Sequence, residues 1–253
     1  MNLSTLPLTL QSARHSPWCS RLGLAAVLLC VLIGLLATGV VRETPTAEDH
    51  ETLIRFRIID GGDVGAAQRL DVAGQRQLLQ RIVYRVHASV HHLEPLPQGR
   101  TREPLDVLQA DTGVCFDRSR VIEQAARLAG FEVRRVFLLY GGWRKLLSSG
   151  GPSHTLVEAR SRQGWVFLGT LSPVTGFVDD GSVWAVKDLK AEAVKGGSLF
   201  KQYAWNEIIP TDFLPIYGLY SRHGGHFPPY TPVPDFSPRQ VFQAGFGLRI
   251  DSF

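Results

Sequence analysis

The stretch ADTGVCFDRSR, residues 110–120, contains Cys115, one of three cysteines in a chain of 253 residues. The other two, Cys19 and Cys30, lie before and within an apolar N-terminal run, so Cys115 stands alone in the remainder and no disulfide framework is open to it. A lone cysteine is either a small buried hydrophobe or a nucleophile. Its setting speaks for the second. Asp111 and Thr112 are N-cap types, Gly113 permits an unusual turn, and Val121, Ile122, Ala125, Leu128 and Ala129 mark one helical face that ends at Gly130. A thiol in the first turn of a helix meets open N–H groups and the positive end of the dipole, both of which favour the thiolate. His154 opens the strand HTLVEARS after a Gly/Ser-rich loop, 141–153. A sheet packed on the Cys115 helix would let that imidazole take the thiol proton.

Other chemistry-bearing residues carry weaker signals. Gln109 lies six positions before Cys115, the interval at which papain-like enzymes hold an oxyanion donor, although a solvent-facing loop glutamine has the same appearance. His87 and His91 are four apart on a predicted helix and share a face. They fit a solvated helix end or half of a metal site, and no third ligand is indicated. His223 and His226, near glycines, read as a surface loop rather than a metal site. Asp117 reads as a structural carboxylate in the first helical turn.

The elements that must position these groups follow from periodicity. Residues 43–52 read as a polar stalk and LIRFRII, 53–59, as a strand. A helix is predicted over 67–92, a loop over 94–104, a strand over 131–140, and a hairpin from HTLVEARS and GWVFLGTL joined by Arg162 and Gln163. FVDDGSVWAVKDLK, 177–190, is read as a strand and turn completing the sheet. From residue 200 the chain is rich in aromatics and prolines, which exclude a long helix there and point to an extended arm over the core or onto a partner.

Taken in order, LQADTGVCFDRSRVIEQAARLAGFEVRRVFLLYG and HTLVEA resemble the transglutaminase-like superfamily, the cysteine-protease-like fold. The matching positions are Gly113, Cys115 and Asp117, then Gly130, Arg134 and Val136, then His154, Val157 and Glu158, then Trp165 and Val166. The resemblance covers about residues 74–175. It implies an α+β fold, with a Cys-bearing helix packed on an antiparallel sheet. It also implies a Cys115–His154 pair acting on an amide or peptide bond, and no cofactor. It departs from the family at the third catalytic position, an aspartate there and Gly169 here. Asp179 and Asp180 on the following loop are the available substitutes. Glu158, about 13 Å along the strand from His154, is a poor one.

Residues 22–41 carry no charge and match a bilayer-spanning helix in length. Arg14 and Arg21 precede them, while Glu43, Glu48, Asp49 and Glu51 follow. The positive-inside rule therefore places residues 1–21 in the cytoplasm and the rest in the periplasm or outside the cell, on a single-pass plasma-membrane anchor. A cleaved signal peptide is the rival reading. The chain has net charge +4, but three of its 27 basic residues and none of its 23 acidic ones lie in 1–42, so the remainder is close to neutral and nucleic acid is not an expected partner. The expected organisation is a cytoplasmic segment 1–21, an anchor 22–41, a stalk and first strand 42–66, a core 67–190 and an aromatic, proline-rich extension 191–253. Two functions fit. One is a membrane-anchored cysteine hydrolase or acyltransferase acting on a protein or peptide. The other is a catalytically impaired domain of the same fold that binds or scaffolds a cell-envelope partner.

Overall fold

The computed structural model describes Gly23 and residues 26–30, 41–97, 100–141, 153–195, 201, 209–220 and 235–246. The chain divides into two units at Thr38/Gly39. In the first, residues 26–30 are helical and Val27, Leu28 and Leu29 are exposed. Among the described residues no helix is long and apolar enough to cross a membrane. Thirteen of the twenty residues of the span expected over 22–41 lie outside them. Its last residue, Val41, is buried in the second unit, where its N–H donates to the Phe236 carbonyl.

The second unit opens with helix α1, Ala47–Arg55. This corrects the stalk and strand expected over 43–59. Thr46 Oγ1 accepts from the Asp49 N–H, and Asp49 Oδ2 accepts from the Thr46 N–H at 2.7 Å, a capping box that starts a helix where polar composition indicated a tether. The helix carries Leu53 into the core. A turn with Arg57 at φ 56° then brings in Ile58 and Ile59, so Leu53, Ile58 and Ile59 of LIRFRII are buried without a strand, with Ile54 and Phe56 partly buried against them.

Asp71 caps α2, Val72–Ser89, whose Leu78, Leu79, Ile82, Val83 and Val86 are buried. A short helix α3, Pro104–Ala110, follows directly after the loop expected over 94–104, where no element was predicted. It begins on a proline, which needs no N–H there, and ends at Asp111 in the left-handed region, φ 52°. The central helix α4, Cys115–Leu128, is buried along most of its length. Gly130, at φ 92°, ends it as expected of a C-terminal glycine, with Gly65 backbone packed too close for a side chain.

Strands β1 (Glu132–Tyr140), β2 (Ser153–Ser161), β3 (Gly164–Leu168) and β4 (Phe213–Tyr217) form one antiparallel sheet in the order β3-β2-β1-β4. β2 and β3 are the expected hairpin, with Ser161 opposite Gly164. On one face of the sheet, Val133, Val157, Ala159, Val166 and Leu168 share a core with α2 and α4. On the other, Val136, Leu138, Leu156 and Phe167 pack on helix α5, Val186–Lys195.

Two further expectations are corrected here. AVKDLK is helical, not a sheet-completing strand. The Val186 N–H donates to Glu158 Oε1 and the Ala185 N–H to Asp188 Oδ2, so two carboxylates satisfy the start of α5. The strand that widens the sheet comes instead from the C-terminal extension, as β4. The extension continues with a two-stranded ribbon, β5 (Leu219–Tyr220) and β6 (Asp235–Phe236), and a last helix α6, Pro238–Phe246. Gly218, at φ 73°, lets the chain pass against Ser237, whose carbonyl would lie 2.8 Å from any Cβ.

Candidate active site

Cys115 is the first residue of α4. Neither Asp111 nor Thr112 caps it, contrary to expectation. The cap position is Val114, whose N–H donates to Asp117 Oδ2 at 3.1 Å. Asp111 turns back to accept from the His91 N–H and ring, and Thr112 Oγ1 donates to the Glu94 carbonyl. Both tie α3 to the end of α2 and leave the start of α4 clear. Asp117 is fully buried against Arg102, 2.6 Å away. This neutralises the one carboxylate that would oppose a thiolate in the same turn.

Cys115 is a half-buried free thiol in hydrogen-bonding contact with His154. β2 supplies the histidine from its second residue, opposite Leu138 of β1. Burial pushes the Cys115 thiol up. The hydrogen bond and charge of His154, the Thr155 backbone and the charge of Arg135 outweigh it, holding the thiol below its ordinary value.

Behind His154 lies Thr170. Its Oγ1 donates to the Thr155 carbonyl at 2.6 Å and faces His154 Nε2 at 3.5 Å. A hydroxyl whose proton is committed elsewhere can only accept from that ring nitrogen. Thr170 thus favours the tautomer that carries its proton on Nε2 and leaves Nδ1 as the basic nitrogen for the sulfur. Gly169, where the acid was expected, holds the corner through its backbone. Its N–H donates to the Val174 carbonyl at 2.8 Å, and its own carbonyl faces His87 Nε2 at 3.5 Å. His87 Nδ1 in turn faces Arg118 Nη1 at 3.0 Å.

The remaining expected site residues lie elsewhere. Gln109 is exposed on α3. Asp179 and Asp180 do not bend back toward His154. Asp179 is fully exposed, 3.9 Å from Arg76, and Asp180 accepts from the Ser182 N–H. Glu158 is buried against Arg134 and the start of α5. His87 and His91 point to different partners, Arg118 and Asp111, and no group of residues suited to a metal occurs among the described residues. His223, His226 and the loop 142–152 lie outside the described residues.

Two contributors were not foreseen. Thr170 was hidden by the search for a carboxylate, although it stands one residue beyond the position searched. Arg135 was legible in principle. Adjacent arginines in EVRRVFLLY must point to opposite faces of the strand, and both faces of this sheet are covered. Arg134 faces Glu158 and stacks between Trp165 and Tyr217. Arg135 faces the start of α4, where its Nη2 donates to the Phe116 carbonyl at 2.6 Å.

The family model of the transglutaminase-like superfamily matches residues 66–170, a segment that contains Cys115, His154 and Thr170. No curated protein and no solved structure matches the chain.

Proposed function

Because residues 66–170 belong to the transglutaminase-like superfamily, we propose that the protein is a cysteine hydrolase or acyltransferase acting on an amide or peptide bond. The observation that carries this is the contact of Cys115, at the start of α4, with a histidine whose far nitrogen meets an acceptor. Cys115 gives its proton to His154, and the thiolate attacks the carbonyl carbon. The C–N bond breaks as imidazolium protonates the departing amine, leaving a thioester. Water or a second amine then attacks, His154 takes its proton, and the C–S bond breaks to restore the thiolate. The Cys115 and Phe116 N–H groups, at the start of α4, would be donors for the oxyanion. Thr170 takes the orienting part of the missing aspartate. A hydroxyl fixes the tautomer but offers no negative charge to the imidazolium, so this triad is weaker than one with a carboxylate. The anchor expected over 22–41 would hold the site outside the cytoplasm, facing a protein or peptide substrate.

The test is an activated ester, p-nitrophenyl acetate, with mass spectrometry of the full chain. The expected product is an acetyl adduct on Cys115 that hydroxylamine removes. It should be absent from Cys115→Ala and strongly reduced in His154→Ala. An adduct rate on Cys115 equal in wild type and His154→Ala removes the Cys–His pair. One observation favours the second reading, a binding or scaffold domain: Gly169 occupies the family's acid position, and the group that faces His154 Nε2 among the described residues is the Thr170 hydroxyl. Acylation of Cys115 at the rate of an unfolded thiol would select that reading.

A further inference from the structure

Arg135 sits at the centre of β1 with none of its surface exposed. Among the described residues one of its guanidinium nitrogens has a partner: Nη2 donates to Phe116, while Nε and Nη1 are buried with no hydrogen-bond acceptor there. The Tyr220 ring covers the guanidinium at 4.8 Å, and the Arg135 N–H donates to Gln240 Oε1 at 2.8 Å. An arginine side chain stays cationic in proteins, and a buried cation is costly unless an anion meets it.

Nearby carboxylates are already engaged by other cations. Glu123 is paired with Arg120 and Arg127 and accepts from the Tyr220 hydroxyl. Glu103 pairs with Arg120, and Glu43 with Arg127 and Arg239. Asp117 is held by Arg102. Arg135 enters no ion pair among the described residues, and the atom it does bond is the carbonyl of the residue next to Cys115.

We propose that Arg135 is the counter-cation of the Cys115 thiolate, a positioning residue that keeps the sulfur ionised from beneath while His154 works from the side. The inference rests on Cys115 being the nucleophile. It supplies a charge to the pair in a chain that has Gly169 at the family's acid position. In a triad with an acid, the thiolate–imidazolium pair is held by charge on the histidine side. Here the second charge is positive and lies on the sulfur side, in β1. The groups facing the sulfur are then His154, the Thr155 backbone, Arg135 and the first turn of α4. Those facing Arg135 are Glu123, Tyr220, Arg120 and Cys115. Burial opposes charge on both partners, and each relieves the other.

The test is the pH dependence of iodoacetamide alkylation of Cys115 in the full chain, read by mass spectrometry. Wild type is compared with Arg135→Met, Arg135→Lys, His154→Ala and the Arg135→Met/His154→Ala double variant, with far-UV circular dichroism as the folding control. Arg135→Met should raise the inflection by about one pH unit, the lower end of what a nearby opposite charge does. The double variant should lie above His154→Ala by a similar amount. Arg135→Lys, which keeps the charge, should stay within about half a unit of wild type on the same scale. An unmoved inflection in folded Arg135→Met overturns the proposal while leaving the Cys–His pair standing. If Arg135→Met does not fold, an inflection in Arg135→Lys at the ordinary thiol value of about 8.5 overturns it instead. If His154→Ala and wild type coincide, it is the nucleophile reading that falls.

Discussion

Thr170 stands one residue beyond Gly169, the position where a transglutaminase-like site is expected to place an acid, and the consequence of its hydroxyl is measurable. Thr170→Val keeps the shape and removes the acceptor from His154 Nε2 and the donor to Thr155. Acylation of Cys115 should fall about tenfold, the equivalent of one modest hydrogen bond of about 1.4 kcal/mol, with Thr170→Ser restoring most of it. Equal rates in wild type and Thr170→Val would mean that the hydroxyl orients nothing. At this scale Cys115 and His154 were legible because their types, order and local settings are themselves chemical statements. Thr170 was not, since a hydroxyl next to a vacant acid position has no pattern of its own. The expected substitutes Asp179 and Asp180 failed for a physical reason: the loop that bears them is pinned outward, with Gly181 N–H on the Val178 carbonyl and Asp180 on Ser182.

Elements explain why that loop matters. Between β3 and α5 the chain folds back on itself. Gly176 N–H donates to the Phe167 carbonyl, and Trp184 N–H donates to the Gly176 carbonyl. A Cβ at Gly176 would sit 2.2 Å from the Trp184 carbonyl and 2.8 Å from the Phe167 ring, both in the backbone-lined corner that follows Thr170. Gly176→Ala should therefore destabilise the protein by about 2 kcal/mol and slow Cys115 acylation as well. Denaturant melts and adduct rates would measure the two separately, and an unchanged melting midpoint would show that the corner yields freely. Helical and strand periods were legible where long: α4, β1 and the hairpin emerge close to their observed limits, while the helix expected over 67–92 runs only from Val72 to Ser89. Short or capped pieces were not. α1 hides behind polar residues that turn out to form a capping box, and α3 is too short for its period to register. α5 reads as a strand until Glu158, distant in sequence, is seen to satisfy its first N–H.

For the whole molecule, the apolar run 22–41 makes a topological claim that the globular unit does not. Residues 43–253 should lie outside the cytoplasm. Protease added to intact cells whose outer envelope has been opened should degrade the domain, and a C-terminal phosphatase reporter should be active. A reporter active only in the cytoplasm would reverse the assignment, whereas a shortened mature N-terminus would replace the anchor with a cleaved leader.

The last helix, α6, does more than cover the sheet. Gln240 accepts from the Arg135 N–H across 105 residues of sequence, and its amide donates to the Tyr220 hydroxyl, which in turn donates to Glu123 on α4. Synthesis runs from the N-terminus, so Cys115, His154 and Arg135 all leave the ribosome before Gln240, the residue that holds the Arg135 backbone and Tyr220. Until residues 238–246 are made, the thiol would lack the settled surroundings that ionise it. A chain ending at residue 234 should alkylate with the pH profile of an unfolded thiol, and a wild-type profile from it would show that the warhead arms early. If the domain is threaded outward through a membrane, the same order of events keeps the reactive sulfur unarmed until passage is complete.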